Sequence, residues 1–281
     1  VGKGKGKARL KSCLKYHGGK HHLAPRIAAL FPAHTHYVEP FFGSGAVMLA
    51  KDPEGVSEVA NDIDGRLMNF WAVLQSGCGR DALVELLVGT PFSQEQFRWA
   101  ARQLARGCEV RFPEGCVSCA HAFFVVCRQS MAGRQQEFSP LSRTRTRRGM
   151  NEQAAAWITA AGMLPEVHGR LRRVALLNLP ALEVMEQEDG EGTLHYLDPP
   201  PYVPGTRASP QVYRHEMTDS QHFDLVSLCR TLKGKVALSG YPNAMYDEVL
   251  KAWNRHDFDL PNHSAKGPAK GGVTERLWVN W

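Results

Sequence analysis

No apolar run in the 281-residue chain approaches the roughly 20 residues that a membrane-spanning helix needs, and no charged-then-apolar secretion signal opens it. These absences predict a chain that works in a soluble, cytoplasmic setting, with no membrane partner. Cysteine is sparse: seven residues, an odd and scattered number, do not make a disulfide framework and are expected to stay reduced. Cys116 and Cys119 have the spacing of one half of a metal site, but no second pair follows and Cys127 falls on an apolar helical face, so no metal is expected. There is no internal repeat. Acidic residues are outnumbered 28 to 34 by Lys and Arg, giving a net charge of +6 and a pI near 9.0, which points to polyanionic partners without identifying one.

Residues 1–11 alternate glycine with lysine at the start and read as a flexible basic arm. From Tyr37-Val38 the pattern is that of an α/β protein. A short strand runs into Glu39-Pro40-Phe41-Phe42-Gly43-Ser44-Gly45, a helix signal follows over Ala46–Ala50, and a second strand over Ser57–Ala60 ends in Asn61-Asp62-Ile63-Asp64. Strand, glycine turn, helix and a strand ending in an acid make a Rossmann-like beginning. The turn lacks the third glycine of the dinucleotide fingerprint, which disfavours NAD. Asp62 is placed to accept hydrogen bonds from ribose hydroxyls, and Asp64 to cap the helix holding Leu67, Met68 and Trp71.

Across 65–169 helix signals dominate. Ser93-Gln94-Glu95-Gln96 has capping-box spacing, Ala120–Val126 reads as a buried helix, and Arg128, Arg134, Arg143, Arg145, Arg147 and Arg148 follow. The α/β rhythm returns over 170–281: strands at Val174–Leu177 and Leu194–Leu197, and a second capping box at Thr218–Gln221. That box opens a helix expected to stop at Gly234; strands follow at Lys235–Ser239 and Glu275–Val279.

The strand at Leu194–Leu197 delivers Asp198-Pro199-Pro200-Pro201-Tyr202, an acid, stiff prolines and an aromatic that together can hold a planar amine. With the glycine turn and Lys15-Tyr16-His17-Gly18-Gly19-Lys20, this motif resembles the Dam-like, phage-type DNA adenine-N6 methyltransferases. Thr206-Arg207, Tyr213–Met217, Leu238–Tyr241 and Glu275–Trp278 extend the similarity. The chain departs from the family in having three prolines, where the pattern has two.

The resemblance implies a Rossmann-like methyltransferase domain (12–64 and 170–281) carrying a mostly helical target-recognition insertion (65–169). It implies S-adenosylmethionine as cofactor, held by Tyr16, Lys20, Glu39, Phe41, Phe42, Gly43, Ser44, Gly45, Asp62, Ile63 and Asp198. Asp198, Pro199, Pro200 and Tyr202 would act on a flipped-out adenine of double-stranded DNA. Arg128, Arg134, Arg143, Arg145, Arg147, Arg148, Arg207, Lys266 and Lys270 are the expected DNA contacts, with monomer and homodimer both open. Methylation at a cytosine carbon would call for a Pro-Cys pair, which the chain lacks. Cytosine-N4 methylation and a non-catalytic DNA-binding module are the competing readings.

Overall fold

Strand and helix signals resolve, in a computed structural model, into a mixed α/β fold described over residues 10–107, 115–202, 213–260 and 272–281. In chain order the first elements are α1 (Ala24–Ala28), β1 (His36–Glu39), α2 (Ala46–Ala50), β2 (Ser57–Asn61), α3 (Gly65–Gln75) and α4 (Gly77–Val88). Next come α5 (Gln94–Arg106), α6 (Val117–Gln129), the short β3 (Thr146–Arg147) and β4 (Met150–Asn151), α7 (Glu152–Gly162) and α8 (Leu164–Leu171). The chain then forms β5 (Val174–Leu177), α9 (Ala181–Gln187), β6 (Thr193–Leu197), α10 (Asp219–Cys229), β7 (Lys235–Gly240), α11 (Ala244–Val249), β8 (Asn254–Leu260) and β9 (Val273–Val279).

The seven-stranded sheet has the order β5-β2-β1-β6-β7-β9-β8. β1 pairs in parallel with β2 and with β6, and β6 in parallel with β7. β9 is antiparallel to both β7 and β8. Because β1, β2, β6 and β7 all run one way, their carboxyl ends share one edge. The chain steps from β1 to β2 on one side and later returns to β6 on the other, which makes the β1/β6 boundary a topological switch point.

By compactness the chain divides into two units, the first holding Val1–Leu30, Gly43–Glu54 and Gly65–Leu176 and the second Phe31–Phe42, Gly55–Asp64 and Leu177–Trp281. The helical unit therefore takes in 10–30 and 43–54 as well as the region expected from 65–169. Its centre is α6, where Ala120 through Cys127 are all buried. Phe124 stacks on Phe70 at 5.8 Å and meets Trp157 edge-on at 5.4 Å, while the Trp157 indole donates to the Thr90 carbonyl at 2.9 Å.

At the start of α5, Ser93 Oγ accepts the Gln96 amide at 3.2 Å, as its spacing predicts. The reciprocal half of the box is different: the Ser93 N–H donates to Gln129 Oε1 at 3.3 Å, because the buried amide of Gln129 lies at the end of the neighbouring α6. Cys116 is the N-cap of α6, its Sγ accepting the Cys119 amide at 3.4 Å, so that cysteine pair caps a helix.

In the sheet unit, β6 is buried along its whole length. Leu197, Leu225, Val226, Val236, Leu238 and Trp278 pack into one apolar cluster. The capping box at α10 is complete. That helix ends at Cys229, five residues before the expected stop at Gly234. Gly234 instead permits close packing, since a Cβ there would lie 2.8 Å from the Thr193 carbonyl oxygen and the approach to β6 leaves no room for a side chain. β8 was not expected from the sequence; of its seven residues only Phe258 is buried, as befits the sheet's edge.

Candidate active site

Three acids of the sheet unit end three adjacent parallel strands: Glu39 closes β1, Asp62 follows β2 and Asp198 follows β6. Glu39 is buried and accepts the Tyr37 hydroxyl at 2.6 Å. Burial, and then the Glu39 charge, push the Tyr37 phenol well above its ordinary pKa, so it stays a donor. Asp62 is half-buried, with Oδ1 accepting the Asp64 amide at 3.0 Å, and Ile63 beside it is 47% exposed. Asp64 directly precedes α3.

Two asparagines that sequence reasoning missed hold this edge. Asn61, fully buried, donates to the Pro40 and Leu179 carbonyls at 3.0 Å each and accepts the Leu179 amide at 2.9 Å. It thereby ties the segment after β1 to the one after β5. Asn178 donates to the Asp62 carbonyl at 2.7 Å. Phe41 packs against the apolar cluster, and the buried Phe42 donates its amide to the Asn61 carbonyl at 2.8 Å.

Asp198 emerges half-buried from β6, with Pro199 buried behind it. Beyond the prolines, the Tyr202 ring lies edge-on to His222 at 5.3 Å and near-parallel to Tyr246 at 6.4 Å.

In the helical unit, the turn before α2 sets Gly43 at φ 48° and Gly45 at φ 64°, a left-handed region that favours glycine. A Cβ on Gly43 would lie 3.7 Å from the Tyr16 ring, so the turn and the aromatic of the first motif stand together. The Trp71 indole donates to the Gly43 carbonyl at 3.1 Å, and Ser44 is buried. Lys20 donates to the Gly18 carbonyl at 3.3 Å.

The basic residues fall into three groups. Arg128 turns inward, donating to the Ala156 carbonyl at 3.0 Å, and burial lowers its pKa. Arg134 is exposed in a turn where Ala132 and Gln135 hold φ of 53° and 63°. That turn rests on the Tyr16 motif: a Cβ on Gly133 would stand 2.5 Å from the Lys15 carbonyl oxygen, and Lys15 Nζ donates to the Ser130 carbonyl at 2.9 Å. Arg143, Arg145, Arg147 and Arg148 are all exposed, on and beside the β3–β4 hairpin. Arg207, Lys266 and Lys270 lie outside the described residues.

The sheet unit thus carries acids at the carboxyl ends of adjacent parallel strands and a tyrosine held at the end of a proline run, and the helical unit carries a left-handed glycine turn. Residues 16–103, which include the Tyr16 motif, the glycine turn and Asp62, match the model of the D12 class N6 adenine-specific DNA methyltransferases. Over those residues the chain is similar to that class. Its substrate is DNA and its reaction is methyl transfer to the N6 amino group of adenine. The Type II methyltransferase M1.LlaDCHI of Lactococcus lactis subsp. cremoris is 23% identical over 292 residues, covering 99% of this chain and 98% of that protein. Among the described residues of the methyltransferase, no helix is long and apolar enough to cross a membrane.

Proposed function

We propose that this methyltransferase takes its methyl group from S-adenosylmethionine and delivers it to an adenine rotated out of double-stranded DNA. When bound, that cofactor supplies an electrophilic methyl group on a sulfonium. The residues fit it: the glycine turn holds its backbone in a left-handed conformation that residues with side chains rarely adopt, with the Tyr16 ring beside it, and Asp62 ends a strand as a ribose-binding acid does. Tyr16, Lys20, Glu39, Phe41, Phe42, Gly43, Ser44, Gly45, Asp62, Ile63 and Asp198 are the residues we assign to holding it.

The observation that carries the reading is Asp198, an acid at the switch point of the sheet, followed by prolines and a tyrosine ring seated on other rings. Adenine's amino nitrogen is a poor nucleophile, because its lone pair is delocalised into the ring. The Asp198 carboxylate and a carbonyl of Pro199 or Pro200 accept the two amino hydrogens, which draws the nitrogen toward tetrahedral geometry and frees the lone pair. Tyr202 stacks on the base, offsetting part of the few kcal/mol lost on unstacking. Arg134 and the exposed arginines from 143 to 148 contact DNA, with Arg207, Lys266 and Lys270 as further contacts; Arg128, engaged by Ala156, braces the helices behind them.

Because the relative from Lactococcus lactis carries the name of a Type II methyltransferase, we propose that modification falls at a short, fixed DNA sequence. Sequencing of methylated bases in DNA from cells expressing the protein tests this. N6-methyladenine at one recurrent sequence, absent with Asp198→Ala, is the expected result; N4-methylcytosine would replace the target base in this reading.

A further inference from the structure

We propose that His222 is a positioning residue for the target adenine: its hydrogen bond to Tyr246 fixes the two rings on which Tyr202 rests. The inference depends on the reading of Tyr202 as the residue that stacks on the base.

The prolines before Tyr202 restrict the backbone that leads to it, but they leave the direction of its ring to whatever it packs against. Two rings set that direction. His222 meets Tyr202 at an interplanar angle of 81° and Tyr246 meets it at 25°, so one supporting ring is edge-on and the other near-parallel. Few ring orientations satisfy both supports at once. The supports are themselves joined by a hydrogen bond of 2.7 Å between His222 Nδ1 and the Tyr246 hydroxyl, with the two residues only 1% and 2% exposed.

That bond joins the starts of two helices. The Thr218–Gln221 capping box places His222 in the first turn of α10, and Asn243 Oδ1 accepts the Tyr246 amide at 2.9 Å at the start of α11. Tyr246 in turn meets Trp278 of β9 edge-on at 5.4 Å. The Trp278 indole donates to Asp247 at 3.0 Å, and the same carboxylate accepts from Arg276 Nη1 at 3.0 and 2.9 Å. A continuous set of contacts thus runs from the sheet to Tyr202.

A purely apolar pair of similar volume would fill the same space without a buried polar bond to satisfy. What the His222–Tyr246 bond adds is direction, and the side chain that receives this direction is Tyr202.

Tyr246→Phe removes one oxygen and keeps the ring, so it separates direction from packing. The expected result, with full-length protein and a duplex carrying the recognised site, is a fall in kcat on the order of tenfold, the size of one lost hydrogen bond. Cofactor affinity should be unchanged, while the thermal midpoint falls by only a few degrees for the buried hydrogen bond lost, so that turnover is compared well below it. A 2-aminopurine placed at the target position should fluoresce differently from its complex with the parent enzyme, because the flipped base is held differently. In a Tyr202→Ala background Tyr246→Phe should cost nothing further, since the residue it orients is gone. His222→Asn, which can still present an amide near the Nδ1 position, should retain more turnover than His222→Leu. Parent-level kcat in Tyr246→Phe, or a loss that simply adds to that of Tyr202→Ala, would overturn the inference alone. Parent-level turnover in Tyr202→Ala would overturn the stacking reading, and this inference with it.

Discussion

The two ends of strand β6 use polar groups in opposite ways. Near its start, polar groups are consumed by the fold. His36 bonds Glu188 at 2.9 Å, and the Asp189 carboxylate accepts the Lys233 and Gly234 amides at 2.9 Å each. The fully buried His195 has Nε2 3.5 Å from the same carboxylate. At the other end Asp198 leaves the strand half-buried, followed by Tyr202 on its bed of rings. One end is built for cohesion and the other for presentation, so substitutions at the two ends should separate stability from turnover.

The sharpest test of the difference is Asp198→Ala. It should lower kcat by at least 10²- to 10³-fold, the usual effect of removing a preorganised electrostatic partner, and leave the thermal midpoint near that of the parent. Loss of fold in this variant would erase the contrast.

The opposite end should respond to pH. Burial pushes the His195 imidazole down to about 4, against the opposing pull of Asp189. Its pKa in the unfolded chain is about 6.5. Between those values the unfolded chain binds a proton that the folded one refuses, so stability is complete above about pH 6.5 and declines as pH falls toward 4, by roughly 3 kcal/mol in all. Asp189 acts in the same direction: although burial opposes it, the Lys233 and Gly234 amides and His195 bring its pKa below the ordinary value. Urea midpoints from pH 7 to pH 4 measure this decline, and His195→Leu should flatten it while sparing activity at pH 7.

Asp62→Ala should weaken cofactor binding by roughly 1.5 to 3 kcal/mol, the range for hydrogen bonds to a charged group, without touching the pH profile of stability. Calorimetric titration with S-adenosylmethionine measures it, and unchanged affinity would remove Asp62 from the ribose role. The smallest effect on the fold should come from replacing Arg143, Arg145, Arg147 and Arg148 with alanine. These side chains are exposed, so the thermal midpoint should stay put, whereas the slope of log affinity for DNA against log salt should fall by about 0.9 for each lost phosphate contact. An unaltered slope would make the loop a solvated surface.

Much of the sheet was legible because its central strands are short apolar runs punctuated by residues with a chemical reason to be there. β1, β2, β5, β6 and β7 fall within about a residue of their expected bounds: burial on both faces of the central strands demands Val, Leu and Ala, the edge strand β5 keeps alternate Val174 and Leu176 buried, and Gly43, Asp62 and Asp198 follow strand ends. β8 was not legible: Asn254–Leu260 carries Arg255, His256, Asp257 and Asp259 on an edge strand, and such a run reads as a loop. The acids and the glycine turn stood out in the sequence because each lies at or just beyond the end of a strand. Asn61, Asn178 and the His222–Tyr246 pair could not, because their meaning lies in partners 21 to 118 residues away.

The divided cap at Ser93 has a consequence for the order in which the helical unit opens. Half of the start of α5 is secured locally by Gln96, but the other half depends on Gln129 at the far end of α6, whose side chain also donates to the Pro91 carbonyl at 3.0 Å. The Ser93 amide can be protected from hydrogen exchange only while the end of α6 is in place. It should therefore exchange with α6 as one cooperative block, at a slower rate than the exposed end of α5 at Arg106.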